Sequence, residues 1–185
     1  MKGLKVKVIG LLSFIIISIL IVTWFFPFSN VSVYQNINYT TNSDSVRVHN
    51  KYLDNLQKLY DERSPDDATT LVLQNISHIY EQDWLVKNDT FIMNEGELAK
   101  MLMRMGNAKH DLLNLTTQEE YSWEQRSYLV TLIENVMSME EYIESIMEDN
   151  WENRTVVKRQ LNNLHGAYTS SLMIFNSFYD TTQNR

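Results

Sequence analysis

From Val8 to Phe28 the chain is almost wholly apolar and uncharged, whereas beyond it apolar positions recur mostly every three or four residues. The two patterns predict two kinds of helix. As a helix, the first run of 21 residues spans about 31 Å, which matches the hydrocarbon thickness of a bilayer. Only Gly10, Ser13, Ser18 and Thr23 interrupt it, and a membrane helix tolerates all four. Trp24 stands near the outer end, where an amphipathic ring favours the headgroup level. Lys2, Lys5 and Lys7 precede the run, and no basic residue follows it until Arg47. That asymmetry predicts a cytoplasmic N-terminus and an exported remainder. A cleaved signal peptide would need a shorter apolar core and a small-residue cleavage site. Here no alanine occurs before Ala68, so the run reads as a retained signal anchor.

Residues 29–43 are polar, uncharged and rich in Asn, Ser and Thr, which predicts a tether with some extended structure at Val31–Tyr34. The stretch beyond it has few strand signals and few turn residues, so long helices with short connections are expected. Val46, Leu53, Leu56 and Tyr60 mark one face of a first helix from about Asp44 to Arg63. Ser64 and Pro65 suit a cap and first helical position, opening a second helix that carries Val72, Ile76, Ile79 and Tyr80 and ends near Asp83. The pattern from Trp84 to Met93 is unclear. Asn94 with Glu97 resembles a cap for a third helix bearing Leu98, Met101, Leu102, Met105, Leu112 and Leu113, weakened at Gly106.

Thr117 and Glu120 have capping-box spacing and predict the start of the longest helix, reaching about Asp149. Its apolar seam runs Leu129, Leu132, Val136, Met139, Ile143, Ile146. After a loop at Asn150–Asn153, Val157, Leu161, Leu164, Tyr168, Leu172, Phe175 and Tyr179 repeat that spacing. Two such seams joined by so short a loop predict an antiparallel hairpin. The expected fold class is all-α. A cytoplasmic stub (1–7), one transmembrane helix (8–28) and a polar tether (29–43) lead to an extracytoplasmic bundle of four to five helices (44–185).

Charge narrows the partners. All 23 acidic residues lie beyond the apolar run, against 13 basic ones, a formal balance of −10. No basic stripe exists to displace counterions from phosphates, which disfavours nucleic acid. The chain has no cysteine, which fits a bacterial exterior better than a disulfide-stapled eukaryotic one. Six Asn-x-Ser/Thr sequons occur in a chain where those residues are abundant, and an unglycosylated protein is the preferred reading.

Between Asp111 and Glu152 there are eleven acids and one base, Arg126. Glu141, Glu144, Glu148 and Glu152 recur at helical spacing as an acidic ridge that could face a basic partner or collect cations. The plainer reading is a solvated helix face, partly neutralised by Arg154, Lys158 and Arg159 on the returning helix. A calcium site needs converging oxygens that one helix cannot supply. Met101, Met103 and Met105 could suggest a thioether metal site, but only the first and last share a face, so core packing is expected. His49, His78, His110 and His165 stand alone and read as surface or helix-end residues. Trp84, Tyr121, Trp123, Tyr142 and Trp151 read as covers for the ends of the core rather than as an exposed recognition patch.

No nucleophile elbow, phosphate loop or zinc-protease motif is present, so no catalytic, metal or cofactor residues are assigned. The expected function is non-catalytic: an anchored helical domain binding another envelope or membrane protein, with the bilayer engaged through residues 8–28. The alternative is a ligand-sensing bundle signalling through a partner that carries the cytoplasmic output. An envelope enzyme built from Asp and Glu residues comes third.

Overall fold

The computed structural model describes residues 2–29, 32, 35–61, 68–118, 120–148 and 152–182, with side chains from Lys7 onward. The element order is α1 (Lys2–Phe25), β1 (Ile37–Thr40), α2 (Ser43–Asp61), α3 (Ala68–Ser77), α4 (Asp83–Val86), β2 (Thr90–Met93), α5 (Glu95–Gln118), α6 (Trp123–Glu148) and α7 (Arg154–Thr182). Within α1, Lys7–Phe25 is long and apolar enough to cross a membrane, and almost none of it is buried against the rest of the molecule. The side chains of Lys2 and Lys5 lie outside the described residues. Lys7 is exposed, as is Trp24.

The architecture is mostly helical, with four long helices (α2, α5, α6, α7) and two short ones, α3 and α4, beyond α1. α6 packs along both α5 and α7, and α2 lies against the other side of α7. Both predicted seams are buried in full, from Leu129 to Ile146 and from Val157 to Tyr179. Gln125 near the start of α6 donates to the carbonyl of Thr181 near the end of α7 at 2.8 Å, so the hairpin is antiparallel. Met101 and Met105 enter the core while Met103 points to solvent, as their spacing requires.

The second helix stops at Ser77 rather than near Asp83, and α7, with 29 residues, is longer than α6, with 26. Three larger features also depart from expectation. First, the fold is not purely helical. β1 and β2 pair antiparallel in the register Ile37↔Met93, Asn38↔Ile92, Tyr39↔Phe91, Thr40↔Thr90. The second half of the expected tether is therefore part of the folded body: Ile37 and Tyr39 are buried, and the Tyr39 hydroxyl donates to Asn162 Oδ1 at 2.9 Å. Alternation of apolar and polar residues over Ile37–Thr40 is the strand period, too short to stand out in a polar stretch. Second, α5 continues without a break past Gly106 to Gln118, and Thr117 lies inside it, its hydroxyl donating to the carbonyl of Asn114.

The cap of α6 is instead a reciprocal box. The Ser122 N–H donates to Gln125 Oε1 at 2.8 Å, and the Gln125 N–H donates to Ser122 Oγ at 3.3 Å. Asn42, Asn94 and Asn153 cap α2, α5 and α7 through their side-chain oxygens, each accepting a backbone N–H at 2.8–3.1 Å. Third, His49 and His165 are core residues, 0% and 2% exposed. The expected Ser64–Pro65 cap, Val31 and Tyr34, and Trp151 lie outside the described residues. Trp84 and Tyr121 are buried, whereas Trp123 is 83% exposed.

Candidate functional site

Three parts of the surface gather polar or charged groups in a defined geometry. One is the exit of α1. Helix C-termini leave carbonyls without partners, and a nearby guanidinium is a suitable donor for them. Arg154, at the start of α7, donates from Nε to the carbonyl of Trp24 at 2.6 Å and from Nη2 to that of Thr23 at 3.2 Å. Its Nη1 donates to the carbonyl of Asn36 at 2.6 Å, just before β1. The guanidinium carbon also stands 6.0 Å from the centre of the Trp24 ring, within cation–π range. Phe28 and Ser29 are buried beside this junction. Arg154 thus donates to three backbone carbonyls.

The ridge is the second part. Glu141, Glu144 and Glu148 are exposed and Glu152 is half-buried. None of the four forms an ion pair among the described residues, and Lys158 and Arg159 stay exposed without closing onto them. The expected neutralisation by the returning helix is therefore not made through direct pairs. Only the neighbouring Glu140 is paired, with Lys109 of α5, in a mostly buried bridge that ties α5 to α6. α6 ends at Glu148, so Glu141, Glu144 and Glu148 belong to the helix, whereas Glu152 lies beyond it, two residues before Arg154.

The third part is a cleft of about 680 Å³ bounded by α3, α4, β2 and α5. Its floor is apolar: Ile76, Ile79, Trp84 and Met101 are all buried. Its α5 wall presents Glu97, Arg104 and Asp111, spaced at seven residues and so on one helix face. Arg104 Nη1 donates to Gln82 Oε1 at 2.7 Å and makes no ion pair among the described residues. Gln82 is the hub of the back wall, donating to the carbonyl of Ile79 at 2.6 Å and accepting from Trp84 Nε1 at 3.4 Å.

Behind that wall sits a polar cluster inside the core. The His49 and His165 rings lie 5.5 Å apart, with Trp84 5.8 Å from His165 and 5.4 Å from Tyr168. His49 Nε2 donates to the carbonyl of Tyr80 at 2.8 Å, and His165 Nε2 donates to that of Leu85 at 3.1 Å. Thr41 Oγ1 donates to the carbonyl of Trp84, and Asn50 Nδ2 to that of Val86. Each bond satisfies a backbone carbonyl in the segment 80–86, which is too short to satisfy its own. Burial pushes His49 down to about 4, the hydrogen bond to Tyr80 opposes this, and His165 adds to the depression. Burial likewise lowers His165 and raises the hydroxyls of Tyr80 and Tyr168. Both rings are therefore neutral at pH 7.

From the sequence, the ridge and the α1 flank stand as candidate site residues and Arg154 as a neutralising charge, while Gln82, Arg104 and Asp111 are given no role. Glu97, Arg104 and Asp111 carry a seven-residue signal that was open to view. His49 shares the face of Val46 and Leu56, and His165 falls between Leu161 and Tyr168 on the seam, so both positions pointed inward. Arg154 has no such signal, because its acceptors are more than a hundred residues away. Comparison of the chain with protein-family models, with curated proteins and with solved structures finds no match in any of the three.

Proposed function

We propose that this protein is a single-pass membrane protein whose N-terminus is cytoplasmic and whose helical bundle lies outside the cell, where it binds another envelope or membrane protein without catalysis. The observation that carries this reading is the exposed row Glu141, Glu144 and Glu148 on α6, which with Glu152 forms no ion pair among the described residues. An exposed carboxylate row without an ion-pair partner among the described residues supports contact with a basic surface on a neighbour in the same membrane. The apolar run of α1 supports the anchor, and the lysine flank supports its direction.

Crosslinking in intact cells, followed by gentle detergent extraction, should recover a partner with the full-length chain. Joint charge reversal, Glu144→Lys and Glu148→Lys, should abolish that recovery, and added salt should weaken it. Undiminished recovery from the double variant would remove the ridge as the contact. A reporter enzyme fused to the C-terminus should be active outside the cell, and activity confined to the cytosol would overturn the topology.

The cleft favours a second reading, an extracytoplasmic ligand-sensing bundle that signals through a partner. Its volume lies within the roughly 300–1,000 Å³ usual for small-ligand sites, and its lining mixes buried apolar side chains with polar and charged ones. Ligand-dependent stabilisation of the chain would support that reading.

A further inference from the structure

Thr169 of α7 has one hydroxyl proton and two acceptors for it. The carbonyl of His165, one turn earlier, lies 3.0 Å from Thr169 Oγ1, and His49 Nδ1 of α2 lies at the same distance. His49 Nε2 must donate, because its partner at 2.8 Å is the carbonyl of Tyr80. A neutral His49 therefore has a bare Nδ1, and the Thr169 proton turns to it. A charged His49 carries a proton on Nδ1 as well. That proton goes to Thr169 Oγ1, and the hydroxyl swings to the His165 carbonyl. Both arrangements use the same heavy-atom positions and leave neither nitrogen of His49 without a partner. A buried imidazole resists charge because the cation loses its hydration, yet here the bonds that would hold the cation are built in.

A second charge has no such provision. The His165 ring lies 5.5 Å from that of His49, and its one hydrogen bond among the described residues runs from Nε2 to the carbonyl of Leu85. The groups around the pair supply no balancing anion. Burial raises the hydroxyls of Tyr80, of Tyr168 on α7 and of Tyr39 on β1, so all three stay neutral. Asp83 of α4 is exposed and paired with Lys87, Asp44 on α2 is exposed and paired with Arg47, and Arg104 of α5 bonds Gln82. Two cations at this spacing repel in a buried site, so the pair charges in two separate steps.

The rings grip the segment 80–86 from two helices, His49 at Tyr80 and His165 at Leu85. α2 and α7 pack on each other, whereas the segment contains one turn of helix and depends on single hydrogen bonds, so it yields first. We propose that His49, Thr169 and His165 form an acid-operated latch on the cleft wall: one proton is absorbed by turning the Thr169 hydroxyl, and a second releases the segment 80–86. Acid thereby withdraws Gln82 and Trp84 from the cleft and leaves the α6–α7 hairpin, with its carboxylate row, in place. The latch is independent of what the cleft or the row binds.

The test uses the full-length chain in lipid nanodiscs with isotope-labelled histidine, followed by NMR from pH 7.5 downward. His49 and His165 should charge in two separate steps. Thr169→Val should move the His49 step about one pH unit further into acid, the loss expected for one hydrogen bond to a charged group. Thr169→Ser, which keeps the hydroxyl, should restore it. His165→Gln, whose amide can still donate to the Leu85 carbonyl, should raise the His49 step by about one pH unit or more. In the unmodified chain, amide exchange at 80–86, corrected for its intrinsic pH dependence, should accelerate about tenfold relative to α6 once both steps are passed. A His49 step that Thr169→Val does not move would overturn the latch. Equal acceleration in 80–86 and α6 would overturn it too, and that reading needs no variant to fold.

Discussion

The α6–α7 hairpin and the segment 80–93 are packed against each other, yet they are held by different forces. The hairpin is a pair of continuous apolar seams in which every contact has neighbours that do the same job. The segment 80–93 contains one turn of helix and a four-residue strand, and hydrogen bonds from Thr41, His49, Asn50 and His165 fix its carbonyls. Apolar burial is non-directional and redundant, whereas a buried hydrogen bond is directional and costly to leave unmade. The hairpin is therefore the structural mass of the molecule, and the cleft wall is the part that conditions and single polar substitutions can move.

The comparison can be broken most forcefully inside the hairpin. Phe175→Ala removes a fully buried ring and should cost about 3–5 kcal/mol, read as a fall in denaturation midpoint without loss of cooperativity. A cost below about 1 kcal/mol would show that the seams are loosely packed. Acid should act next, and on the other region. His49 is depressed in the folded state relative to an unfolded value near 6.5, so its contribution is complete above pH 6.5 and is lost as pH falls towards 4. Stability should drop by about 2 kcal/mol between pH 7 and pH 5 from His49 alone, with His165 acting in the same direction. His49→Gln should flatten that slope, and an unchanged slope would place the acid sensitivity elsewhere.

Smaller effects sharpen the contrast. Asn50→Ala leaves the carbonyl of Val86 without its donor and should cost about 1–2 kcal/mol, with amide exchange accelerating around residues 83–93 before it does in α6. Uniform acceleration through α6 and α7 would mean the two regions unfold as one. Ser122→Ala removes one half of the α6 capping box and should cost about 1 kcal/mol, measurable by thermal unfolding.

The same division explains what could be read without coordinates. The seams of α6 and α7 were legible because a period of three and four, sustained for twenty residues or more, has one structural meaning. Asn94 as a cap was legible because its signal is local. The start of α6 was misplaced because two capping boxes compete within six residues, Thr117 with Glu120 and Ser122 with Gln125. Helix continuation through Thr117 favours the second. The strands were missed because four residues with one exposed face leave almost no pattern, and their paired positions are 50 to 56 residues apart. The cleft could not be assembled, since its walls come from α3, α4, β2 and α5, and only the α5 wall carries a local signal. The inward-facing histidines were misjudged on residue type, although their positions on apolar faces argued for burial.

One guanidinium gathers carbonyls from both ends of the stretch that runs from Thr23 to Asn36. Those bonds tie the exit of α1 directly to the approach to β1 and to the start of α7. If α1 is seated in lipid, the domain rides at a set height and heading, and it explores its surroundings by gliding sideways with its root. Encounters would then depend on who shares the same plane, and releasing Arg154 should widen the vertical reach of the domain while leaving its fold intact.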